Sequence, residues 1–176
     1  MKLNWGLISL LGVSNHPLPV IQAYARVYYE FPTPRFQRLL AEAFASLNQL
    51  SFQLPFEDVQ CLLEVGVAEG EDFIYLGEAE LERLKKTLRG RVLPRLDFII
   101  YANYRRSEGG RSLWGDLQRV RIIFPEENIA EIQVSHVKGT RRFPLNELLK
   151  QILSRIEVEA GKQSLPPPQT LTVKGR

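Results

Sequence analysis

The sequence predicts an α+β domain, and three observations lead there. Amphipathic helical stretches at 34–49 and 78–89 alternate with short runs rich in aromatic and β-branched residues at 24–31, 73–76 and 97–104. A hairpin pattern follows at 118–137, and a third apolar helical stripe begins after Pro144. The 44% apolar and 24% charged content is that of an ordinary globular chain. At 176 residues it is most simply one domain, able to bury about 70% of its extended surface.

The apolar run Trp5 to Val13 follows Lys2 and is about half the length needed to cross a bilayer. No small-x-small cleavage site comes after it, only Asn15-His16-Pro17. It is expected to be a buried first strand or a docked terminal segment of a cytoplasmic protein. Tyr24 to Phe31 reads as a strand. Thr33-Pro34 then supplies an N-cap and a proline at the first helical position. Phe36, Leu39, Leu40, Ala43, Phe44 and Leu47 form one apolar stripe.

Val59, Cys61, Leu63, Val65 and Val67 alternate as a strand does, although Pro55 to Glu64 can also start a short helix. The acidic turn 68–72 leads to a returning strand at Phe73 to Leu76. The next helix, 78–89, has acids in its first turn, bases in its last and Gly90 as its stop. Asp97 to Tyr104 is the following strand. Residues 24–104 therefore read β-α-β-β-α-β, the order of a ferredoxin-like fold, extended by a C-terminal β-hairpin and an amphipathic helix.

Register within the hairpin follows from keeping like residues on one face. Phe124 opposite Ala130, Ile122 opposite Ile132 and Val120 opposite Val134 make an apolar face. Arg119 then faces Ser135, Arg121 faces Gln133, and Glu131 lies diagonal to Arg121. Residues 1–160 are expected as a single α+β domain, and 161–176, with Pro166-Pro167-Pro168, as a flexible tail.

Charge is distributed unevenly. Residues 39–82 carry ten carboxylates and no lysine or arginine, whereas 83–142 carry fourteen bases and six acids. Such asymmetry bears on what a protein binds rather than on how it folds. Arginine outnumbers lysine sixteen to seven, which suits bidentate contacts to phosphate or carboxylate; a GC-rich genome produces the same bias.

The basic block supplies the candidate site. Arg105, Arg106 and Arg111 bracket the loop Ser107-Glu108-Gly109-Gly110, Arg119 and Arg121 occupy the polar hairpin face, and Lys138, Arg141 and Arg142 leave the hairpin. Tyr104 and Trp114 are interleaved. Bases supply salt-dependent phosphate affinity and aromatics a stacking surface. The competing reading is a solvated face whose charges pair with Glu108, Asp116 and Glu131. Phe73-Ile74-Tyr75-Leu76 resembles the aromatic-x-aromatic stacking segment of RNA-recognition motifs, with Tyr28 and Tyr29 placed where such motifs carry another ring. It departs from them at Glu71-Asp72, where the motif has a base and a glycine, and core packing accounts for the same rings.

Catalytic patterns are sparse. Cys61 is the only cysteine, which excludes an internal disulfide and every multi-cysteine zinc site. Glu69, Glu71 and Asp72 crowd one turn without the twelve-residue EF-hand loop, so a solvated turn is expected there. Asp97 with Glu131-Ile132-Gln133 imitates a metal-dependent nuclease set, but glutamine cannot carry the charge of its usual lysine. His136, opposite Gln118, and His16 have no nucleophile and orienting partner in their neighbourhood. No catalytic residue, metal or cofactor is expected. The reading is a non-catalytic interaction module or small subunit that engages an anionic partner, or self-associates, without a membrane. The alternatives are a nucleic-acid-binding accessory protein and, after it, an unrecognised enzyme.

Overall fold

The chain's alternating segments form strands because β-branched and aromatic residues at every second position cover one face of a sheet. The structure, a computed structural model, describes residues 11–14, 17, 20–55, 58–106, 109 and 113–175. Their order is β1 (Ala23–Tyr28), α1 (Thr33–Leu47), β2 (Ser51–Gln53), β3 (Val59–Glu69), β4 (Asp72–Tyr75), α2 (Glu78–Gly90), β5 (Arg95–Arg106), β6 (Asp116–Glu126), β7 (Ile129–Lys138), α3 (Leu145–Lys162) and β8 (Gln169–Gly175). Among the described residues no helix is long and apolar enough to cross a membrane.

The expected ferredoxin-like βαββαβ unit is not what forms. The strands make one curled antiparallel sheet, a half-barrel, in the order β2-β3-β5-β6-β7-β1-β8, with β4 also on β3. In a ferredoxin-like unit the first strand lies between the third and fourth strands of the repeat. Here the neighbours of β1 are β7 and β8, both antiparallel. The hairpin β6–β7, expected as an appendage, lies between β5 and β1 and completes the sheet. Short turns suffice to join antiparallel strands, so β5, β6 and β7 pair in sequence order.

The hairpin register agrees with the expected one at Val120–Val134, Ile122–Ile132, Arg119–Ser135, Arg121–Gln133 and Gln118–His136. It departs near the turn, where an irregularity between Ile123 and Glu126 places Glu126 opposite Ile129. Asn128 takes a left-handed φ of 65° there, a conformation that asparagine tolerates better than most residues. The segment 55–64, left open between helix and strand, belongs to β3 from Val59 onward.

α1 lies in the concave face. The Phe44 ring stacks on Phe98 of β5 with centroids 4.1 Å apart, and Phe36 stacks on Tyr29 at 4.0 Å. The helix begins one residue earlier than expected: Pro32 is its cap, and the Thr33 hydroxyl meets the Tyr29 hydroxyl at 2.8 Å instead of capping. At its other end Asn48 bridges two strands. Its Oδ1 accepts from Val65 N at 2.6 Å and its Nδ2 donates to Leu76 O at 2.7 Å. The side chain thus fills the gap between β2 and β4 along the edge of β3.

Three local outcomes correct or complete the expectations. Residues 169–175, placed in the flexible tail, form β8 and pair with the outer edge of β1. The acidic turn, expected to be solvated, has one of its carboxylates paired: Arg83 of α2 reaches Glu69 at 2.9 Å. Of the apolar run 5–13, residues 5–10 lie outside the described residues. Leu11 and Ser14 bridge to Glu69 and Gly70, Gly12 N donates to Ala68 O at 2.7 Å, and Asp97 N donates to Gly12 O at 2.7 Å. The segment is wedged between β3 and β5, where those strands diverge.

Candidate anion-binding surfaces

The ten residues expected to bind an anion divide into three groups. Arg111 lies outside the described residues, as does most of the glycine loop. Arg119 and Arg121 project from the convex face of the sheet, opposite the helices; Arg119 turns to Ser14 and Pro17, and Arg121 to Asp97. That carboxylate is 1% exposed. Its Oδ1 accepts from Arg121 Nε at 2.7 Å; its Oδ2 accepts from Ser14 N at 2.7 Å and from Arg95 Nε at 3.3 Å. Arg119 donates to Ser14 Oγ at 3.1 Å and to Pro17 O at 3.3 Å, and its guanidinium lies 5.3 Å from the Phe73 ring centroid. Burial lowers the pKa of Arg119; the Asp97 charge acts the other way and the Arg121 charge adds to the lowering. Arg119, Arg95 and Asp97 hold Ser14 against the sheet. Phe73 lies beneath a guanidinium and Tyr29 is buried on Phe36, so neither ring offers a free stacking surface.

The remaining residues meet at one end of the sheet. Tyr104 is fully buried, and its hydroxyl donates to Asp116 Oδ2 while accepting from Phe143 N at 2.6 Å. Asp116 Oδ1 accepts from Arg141 N at 2.7 Å, which holds Arg141 at a left-handed φ of 59°. Gly139 passes so close that a Cβ there would stand 2.1 Å from Asp116 Oδ1, and its φ is +111°. Only glycine fits both demands. The Arg142 guanidinium lies 5.8 Å from the Tyr104 ring centroid. Burial, then the bond to Asp116 and its charge, push the Tyr104 pKa up. This polar knot fixes residues 139–143 and turns their bases outward.

Arg105, Arg106, Lys138 and Arg141 stand exposed around that knot. Their side chains make no ion pair or hydrogen bond among the described residues. Trp114 is 88% exposed beside them. A groove of about 690 Å3 opens next to Arg142, walled by Phe52, Leu54, Phe143 and Pro144. The end of the hairpin, rather than its flat polar face, therefore presents unengaged charge.

Groups with catalytic potential are otherwise engaged. Cys61 is buried, and burial, with the Asp116 charge adding, pushes its thiol up to about 12. The ring nitrogens of His136 lie 3.2 Å from Gln118 Oε1 and 2.9 Å from Gly139 O. Asp97 and Glu131, the acids of the nuclease pattern, are occupied by the donors above and by Gln133 Nε2 at 3.1 Å.

The helical layer holds a second basic surface, on residues that the charge blocks alone do not single out. α1 packs between α2 and α3, and a groove of about 770 Å3 runs along it. Near its middle Glu42 binds Lys85 at 2.6 Å and Gln163 at 2.5 Å. Glu159 binds Lys162 at 3.1 Å and Arg155 at 3.6 Å. Arg35, Arg38 and Arg89 line the same groove, and their side chains have no such partner among the described residues. One signal for them exists in the sequence: two bases and no acid sit near the start of α1, the end of a helix where positive charge is unfavourable. Comparison of the chain with family models, with curated proteins and with solved structures finds no match.

Proposed function

We propose that the protein is a non-catalytic interaction module, a small subunit of a larger assembly, that engages an anionic partner through the basic end of its hairpin. The observation that carries this reading is the set Arg105, Arg106, Lys138 and Arg141, exposed together and unpaired among the described residues. Exposed bases at one end of the sheet keep their charge available, whereas Arg121 is paired with Asp97 and Arg119 is engaged by Ser14, Pro17 and the Phe73 ring. The polar knot supports the reading further. A left-handed arginine backbone is a strained conformation, and here it aims a base outward.

A second reading, binding of single-stranded nucleic acid, is favoured by Trp114. An exposed indole beside unpaired bases offers a stacking face next to phosphate contacts.

Both readings are tested by fluorescence anisotropy with a labelled acidic peptide and a labelled single-stranded oligonucleotide. For the oligonucleotide, four phosphate contacts predict about a hundredfold loss of affinity between about 50 mM and about 300 mM salt. The variant Arg105→Ala/Arg106→Ala/Lys138→Ala/Arg141→Ala should lose binding while keeping its melting temperature, since all four residues are exposed. Undiminished binding by that variant overturns the assignment. Trp114→Ala should weaken the oligonucleotide alone; equal loss for both ligands refutes the stacking role.

A further inference from the structure

The groove along α1 combines three features that a folding requirement does not explain. Arg35 and Arg38 are one turn apart on a single face of α1, where like charges repel. They stand near the helix N-terminus, whose partial positive charge also opposes them, and no acid occupies that first turn. Arg89 joins them from α2. Gln37 of α1 bonds both the N and the O of Leu93, at 3.0 and 2.8 Å, which brings the chain just after α2 to the start of α1. The Lys85–Glu42 pair fixes the same antiparallel arrangement one turn further along. The C-terminal end of α2 therefore delivers Arg89 alongside Arg38.

Nearby acids do not compensate this end. Glu42 is taken by Lys85 and Gln163, and Glu159 by Lys162 and Arg155. Three guanidinium groups remain over a concavity of about 770 Å3, a size that fits a small molecule. Guanidinium groups present planar pairs of N–H donors that match phosphate oxygens. The Glu42 bridge between α2 and α3 lies across the groove partway along, so a short ligand entering at the Arg35 end suits it better than a continuous strand.

We propose that this groove is a binding site for a small oligophosphate-bearing molecule, held by Arg35, Arg38 and Arg89. Its anion offsets repulsion that the unliganded helix layer carries. The site is separate from the sheet end, and the inference does not rest on the reading given above.

The probe is inorganic tripolyphosphate, titrated into the full chain at low salt by calorimetry and followed by thermal unfolding. Binding should be saturable at one site per chain and raise the melting temperature. The variant Arg35→Gln/Arg38→Gln/Arg89→Gln should bind at least about tenfold more weakly, a loss that two charge-assisted contacts suffice to cause. Its melting temperature without ligand should equal or exceed that of the parent chain, because unfavourable charges have been removed. The sheet-end variant Arg105→Ala/Arg106→Ala/Lys138→Ala/Arg141→Ala should keep tripolyphosphate binding. No saturable binding, or binding lost in the sheet-end variant and kept in the groove variant, overturns the proposal. If the triple variant is poorly folded, Arg38→Gln alone with a normal melting temperature serves instead; unchanged affinity there is equally decisive.

Discussion

Asp97 shows how one buried charge organises a surface. It receives the Arg121 and Arg95 guanidinium groups and the Ser14 amide, so its cost of burial is offset by three donors from three parts of the chain. Removing it takes a carboxylate from Arg121, whose side chain is only 14% exposed, and an acceptor from the Ser14 amide. Asp97→Ala should cost about 3–5 kcal/mol in urea unfolding, the range for breaking one partner of a buried pair; a loss below about 1 kcal/mol would show that the cluster contributes little. Cys61 gives a pH-dependent prediction. Its folded pKa is raised from 9.0 to about 12, so the folded state favours the neutral thiol. The stability linked to it is complete below pH 9.0 and is lost as pH rises from 9.0 toward about 12. Native protein at pH 9.0 should therefore resist iodoacetamide while urea-unfolded protein reacts, and rapid native alkylation would contradict the burial.

At the scale of elements, the hairpin and the last strand contrast. The register of β6 and β7 was legible because one face alternates Val120, Ile122 against Val134, Ile132, and a slip by one residue would bury Arg119 and Arg121 in the core. β8 had no such signal. Nearly all its residues are exposed, including Leu171 and Val173, and Leu171 sits at an irregularity opposite the Arg26–Val27 step. Its stability comes from backbone pairing with β1, which periodicity does not encode. β2 was invisible for the same reason, being three residues long with two exposed. Truncation after Ser164 removes β8 and bares the β1 edge. It should lower stability by about 2 kcal/mol, the net of several backbone hydrogen bonds and the ordering they require. Light scattering should show association of the truncated chain; a monomer of unchanged stability would mean that β8 protects nothing.

Across the whole molecule, the acidic and basic halves of the sequence partly meet. Arg83 reaches Glu69 and Lys85 reaches Glu42, so α2 turns its bases toward the acids that precede it. Among the described residues, unpaired bases gather at the sheet end and at the Arg35 end of the helix groove. The sequence by itself determined the identity of the helices, the main strands, the hairpin register and the presence of excess basic charge. Each depends on periods of 3.6 and 2.0 residues, or on composition, which are local properties. Only the tertiary structure decided which strands are neighbours and which charges are neutralised. Those outcomes rest on contacts between distant residues, such as Ser14 with Asp97 across 83 positions and Gln37 with Leu93 across 56. The same β-α-β-β-α-β string is compatible with a four-stranded split βαβ unit and with the longer half-barrel. Inserting β6–β7 between β5 and β1 selected the second, and set Asp97 beside Arg121 instead of leaving that arginine to solvent.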